Sequence, residues 1–204
     1  MSRITVCWKS QRDSPSSRSR DNANKKETLM TTNDDPQQRF KIIHFIGNTL
    51  NRNYFDAALD IRFQVFVKEQ GCSEDGERDE YDAACTHFLV FDEENDISVA
   101  TARAVPYPDP LNPTYFKIGR VAVIQTHRKF GLGRLLMQYI EEYCFTIPSV
   151  EKVLIHAQCP VVKFYERCDK VGGVGWLVTD AEVFYEEGIP HVKMEKNRAS
   201  FCIA

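Results

Sequence analysis

Between the apolar run at residues 118–123 and a strongly periodic stretch opening at Leu132 stands Arg128-Lys129-Phe130-Gly131-Leu132-Gly133. Two glycines in a turn from strand to helix leave several backbone N–H groups around one concavity, and the helix macrodipole adds positive partial charge there. A Cβ at Gly131 or Gly133 is expected to hold a phosphate away from the backbone. Arg128, Lys129 and Arg134 bring further positive charge to the rim. The chemistry this spacing serves is the docking of a pyrophosphate. It is not a P-loop, because no Gly-x-x-x-x-Gly-Lys-Ser/Thr run exists. Nor is it a dinucleotide fingerprint, because the third small residue is replaced by Leu136.

The elements that must hold this turn are legible from periodicity. Residues 40–46 read as a strand. From 53 to 70, Phe55, Ala58, Leu59, Phe63, Phe66 and Val67 recur at helical spacing. Residues 72–84 are polar and acidic and read as a loop. Residues 87–91 and 97–105 form an antiparallel pair across a polar turn, and a loop carrying Pro106, Pro108, Pro110 and Pro113 leads to the strand before the glycines. In the following helix Leu132, Leu135, Leu136, Tyr139, Ile140, Tyr143 and Cys144 make one apolar stripe. A short strand at 153–157, a helix at 160–168 with Pro160 in its first turn, and strands near 182–185 and 191–194 complete the order. The sum, β–α–β–β–β–α–β–α–β–β, is a mixed α/β sandwich.

Composition narrows the partners. With 43% hydrophobic residues the 204-residue chain can bury one real core, and a formal charge of −3 gives no basic field for nucleic acid. No apolar run reaches membrane-spanning length. The seven cysteines form no Cys-x-x-Cys pair and no Cys/His set with zinc spacing, so free thiols in a cytoplasmic, reducing setting and no bound metal are expected. Residues 1–38 are polar and read as a disordered tail, 39–196 as the domain, and 197–204 as a second tail. The Arg/Ser-rich start has a transit-peptide flavour that Asp13, Asp21 and Glu27 oppose, and Met30 offers an alternative start.

The pattern Val123-x-x-x-x-Arg128-x-x-Gly131-x-Gly133 after a strand resembles the acyl-CoA-binding motif of the GCN5-related N-acetyltransferase (GNAT) superfamily. Residues 62–70, Arg-Phe-Gln-Val-Phe-Val-Lys-Glu-Gln, resemble the signature of its ElaA-like branch. Residues 79–82 with His87, residues 157–158 with 164–167, and residues 185–191 with Met194 are similar to further segments of that branch. The resemblance implies a central, mostly antiparallel sheet flanked by helices, with strands splayed around a CoA slot. It departs after Tyr165, where residues 168–176 are longer and Gly-rich, and this is expected to bear on the wall beside the transfer point or on the start of the sixth strand.

Site residues follow from the resemblance. Val121, Ala122 and Val123 line the pantetheine slot, and a backbone N–H there polarises the thioester carbonyl. Residues Arg128, Lys129, Phe130, Gly131, Leu132, Gly133 and Arg134 cradle the pyrophosphate, and Gln158 lies on the second CoA-side segment. Acetyl-CoA is the implied co-substrate. Tyr165 is the general acid, since a phenol near pKa 10 is protonated at pH 7 and can protonate a departing thiolate. Glu69, His87, Glu182 and His191 are candidate bases, and Arg62 and Arg103 candidate ligands for an anionic substrate group. The acidic loop at 74–80 is placed to attract a cationic amine. The implied acceptor is a small-molecule amine such as an amino sugar phosphate, and a homodimer through sheet edges is implied as well. A second reading is a CoA-binding protein of the same fold without turnover.

Overall fold

The computed structural model describes residues 39–168 and 175–200. The polar N-terminal segment and most of the Gly-rich insertion lie outside the described residues. Seven strands form one sheet in the order β1-β2-β3-β4-β5-β7-β6. They are β1 (Phe40–Ile46), β2 (Thr86–Asp92), β3 (Ile97–Tyr107), β4 (Tyr115–Val123), β5 (Lys152–Gln158), β6 (Leu177–Glu186) and β7 (Ile189–Asn197). All neighbours are antiparallel except β4 and β5, which the crossover helix α2 (Leu132–Thr146) makes parallel.

Strand alternation assigns the two faces of the sheet. Phe88 turns toward α2, where its ring meets Tyr139 and Tyr143, while His87 turns the other way against Phe55 of helix α1 (Arg52–Arg62). The core fills both sides, with Leu59, Leu89 and Ile61 among its members and Leu136, Met137 and Ile140 buried under α2. A five-residue helix, α3 (Val162–Glu166), follows β5 and buries Tyr165.

Three expectations change. Residues 53–70 are expected as one helix, but α1 gives way to π-helical winding over Phe63–Glu69, where Val65 is buried and Phe63 and Phe66 pack partly buried against the core. An i→i+5 bond from the Gln70 N–H to the Val65 carbonyl (3.1 Å) widens the turn and rotates the stripe. Pro106 belongs to β3, paired with Phe116, rather than to the loop. Arg198, assigned to a terminal tail, donates to the carbonyls of Phe145, Ile147 and Val150 and so caps the end of α2.

Candidate active site

The slot is a consequence of how β4 is built. Its antiparallel rungs to β3 run from Tyr107↔Tyr115 to Arg103↔Gly119 and resume at Thr101↔Ala122, so Arg120 and Val121 face only Ala102. That is a β-bulge, and Arg120 takes a left-handed φ of 54° in it. Pairing with β5 stops at the same place: four rungs end at Ile118↔Ile155, while β4 continues to Val123 and β5 to Gln158. The bulge bends β4 away, and the two strands part.

A cavity of about 740 Å³ fills that opening. Its walls are Gly119–Val123 of β4, His156 and Gln158 of β5, the end of the π segment at Glu69 and Gln70, and the β6–β7 turn at Glu186 and Glu187. One end reaches Gly131, Gly133 and Arg134, and Phe164 and Tyr165 also line it. Bonds bridge the walls: Gln158 Nε2 donates to Gln70 Oε1 (3.0 Å), and the Ser73 N–H reaches Glu187 Oε2 (3.5 Å).

Gly131 sits at the N-cap of α2 with φ 71°, and no side chain caps the helix. Its first N–H groups are therefore open to an anion. The two glycines act differently from expectation. Nothing lies within 4 Å of a Cβ on Gly131, so that position needs glycine for its left-handed backbone, whereas a Cβ on Gly133 would press on Phe164 Cζ at 3.0 Å. Arg128 faces the cavity, but its guanidinium is held by Glu69 through two 2.6 Å bonds and by the Val123 carbonyl at 3.1 Å. This pair lowers the Glu69 carboxyl below its ordinary value, chiefly through the hydrogen bond. Lys129, Phe130 and Leu132 do not line the cavity: Lys129 is exposed outside it, Phe130 lies under Arg39, and Leu132 is core.

Tyr165 keeps 6% of its surface exposed while lining the cavity, and burial raises its phenol well above the ordinary tyrosine value. It is a protonated donor at neutral pH. Its carbonyl accepts from the Cys168 and Trp176 N–H groups (3.0 and 3.4 Å). Trp176 is itself pinned by Glu141 Oε1 at 2.7 Å, and Glu141 is paired with Lys196 at 2.8 Å, all three buried. The chain is thus anchored at Trp176, and β6 begins at Leu177.

Part of the acidic loop turns inward, while Glu74, Asp75 and Glu80 stay exposed. Two 3₁₀ turns, Glu74–Glu77 and Glu80–Ala83, direct Glu77, Asp79 and Asp82 inward onto Arg62, Arg103 and Arg120. Three carboxylates meet three guanidiniums, so the cluster is close to neutral. Arg62 is 1% exposed, bonded to Glu77 and Asp82, and lies off the cavity. It is a structural ion pair and not a substrate ligand. Arg103 lines the cavity, yet its nitrogens are engaged by Asp79 and Asp82 (2.5–2.8 Å), which raise its pKa further against the opposing effect of burial. His87 is buried off the cavity, where desolvation lowers its pKa and removes it from the candidate bases. Glu182 is exposed on β6 and also off the cavity. His191 does line it, with Nδ1–H donating to the Ile189 carbonyl (2.8 Å).

Asp82, Cys85 and His87 place ligand atoms within 4.8 Å of one another, a grouping whose sequence spacing gave no zinc signal. The residues do not suit a cation. Arg62 and Arg103 both hold Asp82 Oδ1, and burial pushes the Cys85 thiol up to about 12.

Sequence reasoning missed Lys117, His156 and Glu186. His156 Nδ1 lies 2.5 Å from Glu186 Oε1, Lys117 Nζ 4.0 Å from the same oxygen, and all three line the cavity. A signal existed: His156 and Gln158 stand two apart in a strand otherwise read as buried, which puts both polar groups on one face.

Comparisons with known proteins agree with this geometry. The model of the acetyltransferase (GNAT) family matches residues 52–169. The uncharacterized protein YyaT of Bacillus subtilis (strain 168) is 32% identical over 142 residues, covering 68% of this chain and 86% of YyaT. Among solved structures, Escherichia coli ElaA has a TM-score of 0.65 at 29% identity, over 78% of this chain and 99% of ElaA. An acyl-CoA N-acyltransferase from Pseudomonas aeruginosa has a TM-score of 0.64 at 26% identity, over 77% and 99% of the two chains. The family model spans more than half of the chain, and this chain belongs to the GNAT acetyltransferase family.

Proposed function

We propose that this chain transfers an acetyl group from acetyl-CoA to the amine of a small molecule by direct attack. The observation that carries the reading is the continuous cavity from the uncapped start of α2, along Val121–Val123, to Tyr165. The pyrophosphate of acetyl-CoA fits the backbone N–H groups at Gly131–Gly133, and pantetheine fits the parted edge of β4. A backbone N–H on that edge polarises the carbonyl, a contribution of roughly 2.7–4 kcal/mol in comparable oxyanion holes. The amine nitrogen attacks the carbonyl carbon, the C–S bond breaks, and Tyr165 protonates the sulfur.

On the acceptor side, Lys117 on the cavity face supports a substrate that carries an anion as well as an amine. Glucosamine 6-phosphate is the first such compound to try. The free thiols Cys72, Cys85, Cys144 and Cys159 support a cytoplasmic setting. The homodimer is part of the proposal and is decided by light scattering.

The test is Tyr165→Phe. Turnover falls by about 10²–10⁴-fold while CoA affinity stays, as expected for loss of an acid that acts only in the transition state. An unchanged rate removes Tyr165 from the mechanism. A wild-type chain that binds CoA but acetylates no amine contradicts the enzyme reading.

A further inference from the structure

An amine arrives at neutral pH as an ammonium ion, and it cannot attack until it has lost a proton. Of the titratable groups on the cavity wall, His156 is the one whose imidazole is backed by a carboxylate. Glu186 Oε1 sits 2.5 Å from Nδ1. An ionised carboxylate only accepts, so Nδ1–H is the donor and the lone pair is on Nε2. The carboxylate then offsets the imidazolium charge that proton uptake creates.

Position agrees with this chemistry. His156 is the first residue of β5 beyond its last rung with β4, where the strands part. It shares the cavity face with Gln158, and the Phe184 ring packs edge-on at 4.7 Å, fixing the imidazole plane. Besides Glu186 of β6, the charged neighbours come from two strands. Lys117 of β4 lies 4.0 Å from Glu186; Lys193 of β7 stands opposite His156 in register but pairs with Glu195 at 2.9 Å; and His191 of β7 faces the same cavity. His191 directs its Nδ1–H to a neutral carbonyl, which gives an imidazolium there no counter-charge.

We propose that His156, oriented and charge-balanced by Glu186, is the base that deprotonates the acceptor ammonium before acyl transfer. The inference rests on the acyltransfer reading above. Three protons of R–NH₃⁺ are accounted for. One passes to His156 Nε2 and on to solvent; the N–C bond then forms as the C–S bond breaks. Tyr165 protonates the departing thiolate, a second proton passes from the nitrogen to the Tyr165 phenolate and restores it, and the third remains on the amide. His156 is thereby the catalytic base and Glu186 a positioning residue.

The experiment uses the full chain, acetyl-CoA and three probe amines: glucosamine 6-phosphate, spermidine and lysine. For whichever amine the wild type acetylates, His156→Gln lowers kcat by about 10²–10⁴-fold and abolishes the acid limb of the pH–rate profile. Imidazole in the buffer restores part of the rate to His156→Gly in proportion to its free-base concentration. The rise in Tm on adding CoA persists in both variants, which shows the donor site intact. Glu186→Gln lowers kcat with a smaller effect on KM. A His156→Gln enzyme with the wild-type rate and acid limb overturns the proposal and moves the base to His191. A wild-type chain that acetylates none of the three overturns the acyltransfer reading itself, an outcome visible without any variant.

Discussion

Gly131 and Gly133 stand two residues apart in one motif and are required for separate physical reasons. Gly131 holds φ at 71°, where a side chain is strained whatever the space around it. Gly131→Ala is expected to cost roughly 1–2 kcal/mol, read as a lower Tm, and to weaken CoA binding by tilting the first N–H groups of α2. Gly133→Ala instead pushes the Phe164 ring by a few tenths of an ångström. Because Phe164 packs against Tyr165 (ring centroids 5.0 Å), this variant should lower kcat several-fold more than it weakens CoA. Steady-state kinetics beside CoA titration separates the two. The motif made both glycines legible, but not their reasons, since the αL backbone and the Phe164 ring appear only once β5 and α3 are folded back onto the turn. The pairing of His156 with Glu186 was illegible for a related reason: the two lie thirty positions apart and meet only through β7, which pairs with both strands.

At the scale of elements, period and punctuation placed the buried strands to within a few residues, whereas β6, expected only near 182–185, begins at Leu177, because its exposed residues carry no apolar pattern. What failed was winding inside an element. Nothing in residues 63–69 distinguishes π from α geometry, and the switch buries Val65 while Phe66 stays partly buried against the core. The apolar stripe of α2 likewise concealed Glu141, a charged residue held at 1% exposure by Trp176 and Lys196, partners that come from the far end of the chain. Glu141→Ala leaves the Lys196 ammonium buried beside a hole, and removal of one partner of such a pair costs about 3–5 kcal/mol. Chemical denaturation should show that loss, and Glu141→Gln, which preserves a hydrogen-bond acceptor for Trp176, should lose less. Because Trp176 anchors the chain returning from Tyr165, Glu141→Ala is also expected to lower kcat in whatever fraction stays folded.

Across the whole molecule, buried carboxylates tie the loops to the sheet. Asp92 gathers Arg39, Asn95 and His127, joining β1 and the turn before α2 to the end of β2. The Arg39 bond is the main cause of its strongly lowered pKa, and Asp79 is lowered by Arg103 against its own desolvation. Both carboxyls are more acidic in the fold than in the unfolded chain. Their stabilisation is therefore complete above the ordinary Asp value of 3.8 and is lost as pH falls below it toward the folded values. Tm should hold steady from pH 7 to about 5 and then drop, and Asp92→Asn should be less stable at pH 7 but less sensitive to acid. The sequence marked the 74–80 loop as acidic without revealing that Glu77 and Asp79 close onto Arg62, Arg103 and Arg120 while Glu74, Asp75 and Glu80 stay exposed, because that partition exists only in three dimensions. The central claim is that acyl-CoA occupies the slot between β4 and β5, and the most direct measurement is the thermal stability of the full chain with and without acetyl-CoA and free CoA. Binding to the folded state alone stabilises it by about 2.7 kcal/mol at a hundredfold excess over Kd. The account predicts a clear rise in Tm with both ligands, abolished by Gly131→Glu, whereas no rise at millimolar concentration would contradict it.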